Sequence, residues 1–233
     1  MLARYWAVVP AAGSGSRMNT AVPKQYLQLH GKTVIEHSLS RLCSHPQISG
    51  VVVAISADDE HWQQLDLSVY KNIHVTEGGA ERCHSVLNGL QLLSGIAAAD
   101  DWVLVHDAAR PCIHHDDITH MLDVLKDHPV GGLLGLPVAD TMKRTGGDDE
   151  VLETVSREHL WRALTPQMFR LGQLKQALQT ALADGFLVTD DASAMEHIGL
   201  KPRMLAGRGD NMKITRPEDL ILAETYLARQ EKK

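Results

Sequence analysis

No apolar run in this chain approaches the roughly 18 residues that a membrane-spanning helix needs, so no helical span is expected. A basic excess is missing as well. The formal net charge is −6, and non-specific nucleic-acid binding, which requires a basic face, is set aside. Cysteine is scarce: Cys43, Cys83 and Cys112 are odd in number, far apart and without Cys-x-x-Cys spacing. That excludes a disulfide framework and a zinc ribbon, and the thiols read as small buried hydrophobes. The first residues lack a signal-peptide layout because an apolar strand begins almost at once, so a cytoplasmic protein is expected. No repeat, low-complexity tract or linker interrupts the 233 residues, and a hydrophobic content of 44% suits one large α/β domain spanning 1–233.

What is present begins at the first strand. Trp6, Ala7, Val8 and Val9 form a short apolar run that stops at Pro10, followed by Ala11, Ala12, Gly13, Ser14, Gly15 and Ser16, then the cations Arg17 and Lys24. Small residues let backbone approach a ligand closely, consecutive N–H groups converge on an anion, and flanking cations suit a polyphosphate. The loop is not a dinucleotide fingerprint, since Met18 stands where a glycine is required, and no Gly-Lys-Ser/Thr makes it a Walker loop. The reading is a nucleoside triphosphate site.

Further along, apolar runs alternate with helical patterns. Helices are expected over 33–42, 58–67, 81–93, 116–126, 171–182, 190–198 and 217–229, with strands over 50–55, 73–75, 102–106 and 130–137. The alternation implies a Rossmann-like, mostly parallel sheet with helices on both faces. One segment, about 138–158, breaks the rhythm and reads as two extended arms around Gly146 and Gly147. An isolated two-stranded hairpin is marginal in water, so this arm should pack on something, a second copy of the chain being the simplest candidate.

Residues that follow strands carry the chemistry in such sheets. Gly78 and Gly79 permit close approach to a flat base, and Ser85 is placed one helical turn on. Asp107 follows a buried strand and suits Mg²⁺ bridging triphosphate oxygens, while Arg110 suits an acceptor phosphate. Lys213 precedes the last helix and alone would be a solvated charge. The histidine-rich stretch 106–120 matches no zinc spacing, and His114-His115-Asp116-Asp117 within it reads as the polar start of a helix.

The blocks PAAGSGSRM, PKQY, GGAERCHSV, VHDAARP, PVADTMKR, ALTPQ, TDDASAME and GDNMKITRPEDL together resemble, along nearly the whole chain, the 2-C-methyl-D-erythritol 4-phosphate cytidylyltransferases of the non-mevalonate isoprenoid pathway. Two positions depart from the usual pattern: Ala80 stands where an acidic residue is often found, and Cys83-His84 is a variable pair. The resemblance implies CTP and Mg²⁺ as reactants, pyrophosphate as product, and a homodimer joined through the arm. It places Arg17, Lys24, Arg157 and Lys213 in catalysis, and Ala11, Ala12, Gly13, Ser14, Gly15, Gly79 and Ser85 on CTP. It places Arg110, Thr141, Arg157, Thr165, Thr189 and Lys213 on the acceptor, with Asp107 at the metal. Thr141 and Arg157 would serve the neighbouring subunit's site. The nearest rival is a cytidylyltransferase for another polyol phosphate, such as ribitol 5-phosphate. A glycosyltransferase of similar fold would be expected to carry Asp-x-Asp, which the stretch from His106 to Ala109 lacks. A non-catalytic nucleotide-binding regulator would have no reason to keep Arg17 and Lys24 beside Asp107.

Overall fold

A computed structural model describes residues 3–13, 22–70 and 72–230. In chain order these form β1 (Tyr5–Pro10), β2 (Gln28–Leu29), β3 (Lys32–Thr33), α1 (Val34–Cys43), β4 (Ile48–Ile55), β5 (Ile73–Glu77), α2 (Arg82–Leu93), β6 (Trp102–Val105), α3 (His115–Leu125), β7 (Gly131–Pro137), β8 (Met142–Thr145), β9 (Val151–Val155), β10 (Trp161–Arg170), α4 (Leu171–Ala183), α5 (Asp191–His197), β11 (Arg203–Ala206) and α6 (Pro217–Gln230). Seven strands make the central sheet in the order β11-β7-β10-β6-β1-β4-β5. All are mutually parallel except β10, which runs antiparallel to both of its neighbours.

The centre of the sheet is apolar on both faces, as a sheet covered by helices on each side must be. Ala7, Val9, Val51, Val53 and Leu104 face one cluster with Ile35, Leu39 and Leu122. Val8, Val52, Val103 and Val105 face another with Val86, Leu90 and Leu178. Full burial of each such Val or Leu stabilises by roughly 1.5–3 kcal/mol. Helix α1 starts where Thr33 and Glu36 form a reciprocal capping box, which satisfies two otherwise orphaned amides.

The expected helix over 58–67 is not formed. Only a 3₁₀ turn, Trp62–Gln64, appears there, with Asp59 Oδ1 accepting from the Trp62 amide at 3.1 Å. Its apolar residues are too few to bury a helical face, and Asp58, Asp59 and Asp66 favour local turns over a helix interior. Strands β10 and β11 were not foreseen. In β10, Thr165 and Pro166 interrupt the alternation, and the Thr165–Pro166 peptide is cis.

The arm is built as expected, with β8 and β9 pairing only with each other, Met142 opposite Val155 and Arg144 opposite Glu153. It is not folded back on its own sheet. Val151 and Leu152 are 60% and 66% exposed. No helix among the described residues is long and apolar enough to cross a membrane.

Candidate active site

The loop after β1 stays in register with the sheet through Ala11 N–H donating to Ala54 O at 2.7 Å. The buried amide of Gln25 then donates to Ala11 O at 2.8 Å and Gly13 O at 3.0 Å. These bonds hold the carbonyls of Ala11 and Gly13 on the Gln25 side. Ser14, Gly15 and Arg17 lie outside the described residues. Lys24, which begins a 3₁₀ turn, donates from Nζ to Ile214 O at 3.0 Å, so its ammonium rests on the backbone next to Lys213.

Gly78 and Gly79 are required by proximity. A Cβ on Gly78 would lie 2.3 Å from Ala12 Cβ, and one on Gly79 2.3 Å from His84 Cβ. The absence of side chains lets the loop after β5 close against the loop after β1. Ser85 is buried, and its hydroxyl accepts from Gly79 N–H at 3.0 Å while donating to Glu81 O at 3.3 Å. Its single proton is therefore spent on shaping the glycine turn.

A cleft of about 350 Å³ opens between these loops, lined among others by Ala11, Ala12, Gly13, Lys24, Gly79, Ser85, Asp107 and Lys213. A second cavity of about 310 Å³ is lined by Arg110, Thr165, Gln167, Thr189 and Asp190. Arg82, Asp107 and Lys213 line both. This is the junction a two-substrate transfer requires.

Asp107 is the centre of that junction. Its carboxylate receives Arg82 Nε at 2.9 Å, Lys213 Nζ at 2.8 Å and Arg110 Nε at 3.4 Å. Burial by itself would raise its pKa, but Arg82, Lys213 and Arg110 outweigh burial and hold the carboxyl far below the usual carboxylate range. Asp107 is therefore ionised at any pH at which the protein works. Arg110 also donates to Asn211 O at 2.8 Å, and Asn211 in turn donates to Thr165 O at 2.8 Å. Thr165 Oγ1 accepts from the Asp107 amide at 3.1 Å.

His106 is wholly buried and both ring nitrogens are engaged, Nδ1 with Thr165 Oγ1 and Nε2 with Arg110 O, each at 3.1 Å. Burial pushes its pKa down to about 4. A neutral, fully occupied imidazole carries no proton to a substrate, and its role is to position Thr165 and the backbone at Arg110.

Where the two cavities meet, a divalent metal would find one carboxylate among the described residues. A carboxylate offers about four lone-pair positions, and three are already taken by cations. Such a sparse donor set fits an ion held chiefly by triphosphate oxygens and water and touched by the protein at one point, which is how Mg²⁺ is commonly bound.

Among the sequence-derived candidates, Ala11, Ala12, Gly13, Lys24, Gly79, Ser85, Asp107, Arg110, Thr165, Thr189 and Lys213 converge on the two cavities. Thr141 and Arg157 do not. Both are exposed at the base of the arm, where Arg157 Nη1 donates to Ala139 O.

Three residues without an expected role prove central. Gln25 braces the loop. Arg82 bridges Asp107 and the buried Asp191, to which Nη2 donates at 2.8 Å. Gln167 holds the start of α5 through Asp190 Oδ2 and the Ala192 amide, both at 2.8 Å. Each lies inside a motif block, and the only advance signal was a polar side chain adjoining glycines or strand ends.

Comparison with known proteins agrees with this geometry. The family model for 2-C-methyl-D-erythritol 4-phosphate cytidylyltransferase matches residues 5–229. The chain is 52% identical over 220 residues to the protein of that name from Pseudomonas fluorescens (strain SBW25), covering 94% of each. It is 51% identical over 224 residues to that from Vibrio vulnificus (strain CMCP6), covering 96% of this chain and 94% of the relative. The crystal structure of a 4-diphosphocytidyl-2C-methyl-D-erythritol synthase superposes with a TM-score of 0.85 at 33% identity, over 97% of this chain and 100% of the other. That of the Francisella tularensis 2-C-methyl-D-erythritol 4-phosphate cytidylyltransferase gives 0.84 at 34%, over 96% and 100%. Since both sequence and fold agree along almost the full length, this chain belongs to the 2-C-methyl-D-erythritol 4-phosphate cytidylyltransferase family.

Proposed function

We propose that the chain, acting as one nucleotidyltransferase domain, transfers CMP from CTP to 2-C-methyl-D-erythritol 4-phosphate, giving 4-diphosphocytidyl-2-C-methyl-D-erythritol and pyrophosphate. The observation that carries this reading, beside family membership, is the meeting of two cavities at Asp107 and Lys213. CTP occupies the larger cleft, with its triphosphate on the amides of the loop from Ala11 through Gly13 to Gly15 and its base beside Gly79. Ser85 supports that glycine turn. The polyol phosphate occupies the second cavity, where Arg110, Thr165, Thr189 and Lys213 surround it.

A phosphate oxygen of the acceptor attacks the α-phosphorus of CTP. A new O–P bond forms as the bond to the β-phosphate oxygen breaks, and pyrophosphate departs with the electron pair. The attacking monoester is already largely ionised near neutrality, so no general base is needed. The neutral, enclosed His106 is consistent with that economy. What the protein supplies is position and positive charge. Lys24 and Arg17 stabilise charge growing on the α-phosphoryl oxygens. Lys213, fixed by Asp107, aligns the acceptor.

Mg²⁺, when bound, neutralises triphosphate charge, and Asp107 is the residue that would hold it. Asp107→Asn should raise the Mg²⁺ concentration needed for half-maximal activity several-fold, an amide being a poorer ligand for a hard cation. An unchanged metal titration would leave Asp107 as the structural counter-ion of Arg82, Arg110 and Lys213. The site is completed by Thr141 and Arg157 of the partner subunit in a homodimer joined through the arms.

The decisive experiment incubates the protein with CTP, Mg²⁺ and each polyol phosphate in turn and follows pyrophosphate release. Release should be fastest with 2-C-methyl-D-erythritol 4-phosphate. Faster release with ribitol 5-phosphate would move the assignment to that acceptor, and none with any acceptor would favour a regulator.

A further inference from the structure

At the rim of the nucleotide cleft, Glu81, Cys83 and His84 bring a carboxylate oxygen, a thiol sulfur and an imidazole nitrogen within 4.8 Å of one another. Cys83 Sγ lies 3.8 Å from Glu81 Oε2 and 4.0 Å from His84 Nδ1. Tetrahedral Zn²⁺, with bonds of about 2.3 Å to sulfur and about 2.0–2.1 Å to nitrogen or oxygen, spaces such donors about 3.6 Å apart. Cys83 Sγ needs to close by only a few tenths of an ångström on each of its two neighbours to reach that spacing, and rotation of the Glu81 and His84 side chains, whose donor atoms lie within 4.8 Å of each other, closes the third side. We propose that Glu81, Cys83 and His84 form a binding site for one thiophilic divalent cation of the Zn²⁺ type.

Four further observations support it. The donors lie within four consecutive residues at the start of α2, so the backbone already fixes their relative placement and little chain entropy is lost on binding. Glu81 is the N-cap residue, yet its side chain makes no capping bond, which leaves the carboxylate available. The N-terminus of α2 favours the negative charge that the carboxylate and a metal-bound thiolate carry, while burial and the Glu81 carboxylate hold the free Cys83 thiol above its ordinary pKa, so the metal itself displaces the thiol proton. One thiolate and one carboxylate also balance a dication, giving a neutral site. On binding, the Cys83 proton leaves to solvent as the S–metal bond forms. The fourth coordination position remains for water or a ligand donor, as in sites that are not purely structural.

The site is separate from the reaction's own metal, because sulfur and imidazole select against Mg²⁺. It is nevertheless coupled to the cleft by position. Glu81 lines the cleft, and His84 Cβ is the atom that a Cβ on Gly79 would strike. Loading draws Glu81 toward Cys83 and His84 and restrains the turn at Gly79. If CTP binds as proposed above, Zn²⁺ should change KM for CTP more than kcat.

The test needs no turnover. The full chain, reduced and stripped of metal, is titrated with Co²⁺ and followed by absorption. A thiolate-to-cobalt charge-transfer band should saturate at one equivalent, bleach on addition of Zn²⁺ and persist in excess Mg²⁺. Cys83→Ser should abolish the band. His84→Ala and Glu81→Gln should each weaken Co²⁺ binding tenfold or more, while the double variant Cys43→Ser/Cys112→Ser should keep it. No band at any Co²⁺ concentration, or a band that survives in Cys83→Ser, would overturn the assignment whatever the protein's reaction proves to be.

Discussion

Two arginines paired with carboxylates at similar distances occupy opposite environments in this molecule. Arg82 meets Asp107 at 2.9 Å and Asp191 at 2.8 Å, against carboxylates whose side chains are 9% and 1% exposed. Arg144 meets Glu153 across the arm at 2.6 Å, with side chains 62% and 56% exposed. In the centre, Asp107 and Asp191 are buried and held by Arg82, with Arg110 and Lys213 also on Asp107. On the arm, charges and apolar side chains alike face solvent. The centre is a finished piece of electrostatics, whereas the arm has surface with nothing yet placed against it. Distance alone would have ranked the two pairs the wrong way.

The largest expected effect tests whether the centre is catalytic. Lys24→Ala should lower kcat by roughly 10²–10³, about 3–4 kcal/mol of lost transition-state stabilisation. Lys24→Arg should recover only part, since a planar guanidinium places its charge differently. Unchanged turnover would remove Lys24 from the chemistry and reduce the centre to architecture. Next, Arg82→Ala should destabilise the fold by about 3 kcal/mol, because Asp107 and Asp191 would keep buried charge with a partner gone. For a chain of this size that lowers Tm by roughly 6–12 °C, measurable by calorimetry. A shift below about 2 °C would mean that solvent reaches the cluster freely.

The arm is tested by mixing. If two copies join through the arm as proposed, Arg157→Ala and Lys24→Ala homodimers should each be nearly inactive. After subunit exchange at equal concentrations about half the dimers are mixed, each with one site free of both lesions, and activity should return to about a quarter of wild type. No recovery, once exchange is demonstrated, would confine Arg157 to its own subunit and leave the arm as a clasp. The smallest effect completes the comparison. Arg144→Ala should change stability by no more than about 0.5 kcal/mol, as exposed pairs usually do. A loss near that of Arg82→Ala would show that the arm is covered in solution.

Much of this arrangement was legible in the residues. Alternating apolar runs predicted the parallel sheet, and Ala11–Ala12–Gly13, Gly79, Asp107 and Lys213 were placed at strand ends or before the last helix, where the two cavities now lie. The misses have physical causes. The 58–67 stretch has helical spacing but too little surface to bury. Strand β10 hides behind Thr165–Pro166, which breaks its alternation. Arg82 and Gln167 act through partners distant in the chain, Asp191 and Asp190 among them, and no local pattern records such pairing.

The reversed direction of β10 has a consequence for what a dimer of this fold can share. Gln167 is paired with Val105, the last residue of β6, so the first half of β10 overhangs the end of β6, beside Asp107. Its very first residue, Trp161, pairs with Pro137 at the end of β7, and the chain between them is the arm. Had this ten-residue strand run with its neighbours, its start would lie about 30 Å away, at the sheet's far rim. An arm starting there would lie at the opposite end of the strands from Asp107. Orientation of one strand thus decides which end of the sheet, the one with Asp107 or the one opposite, presents the arm to a partner.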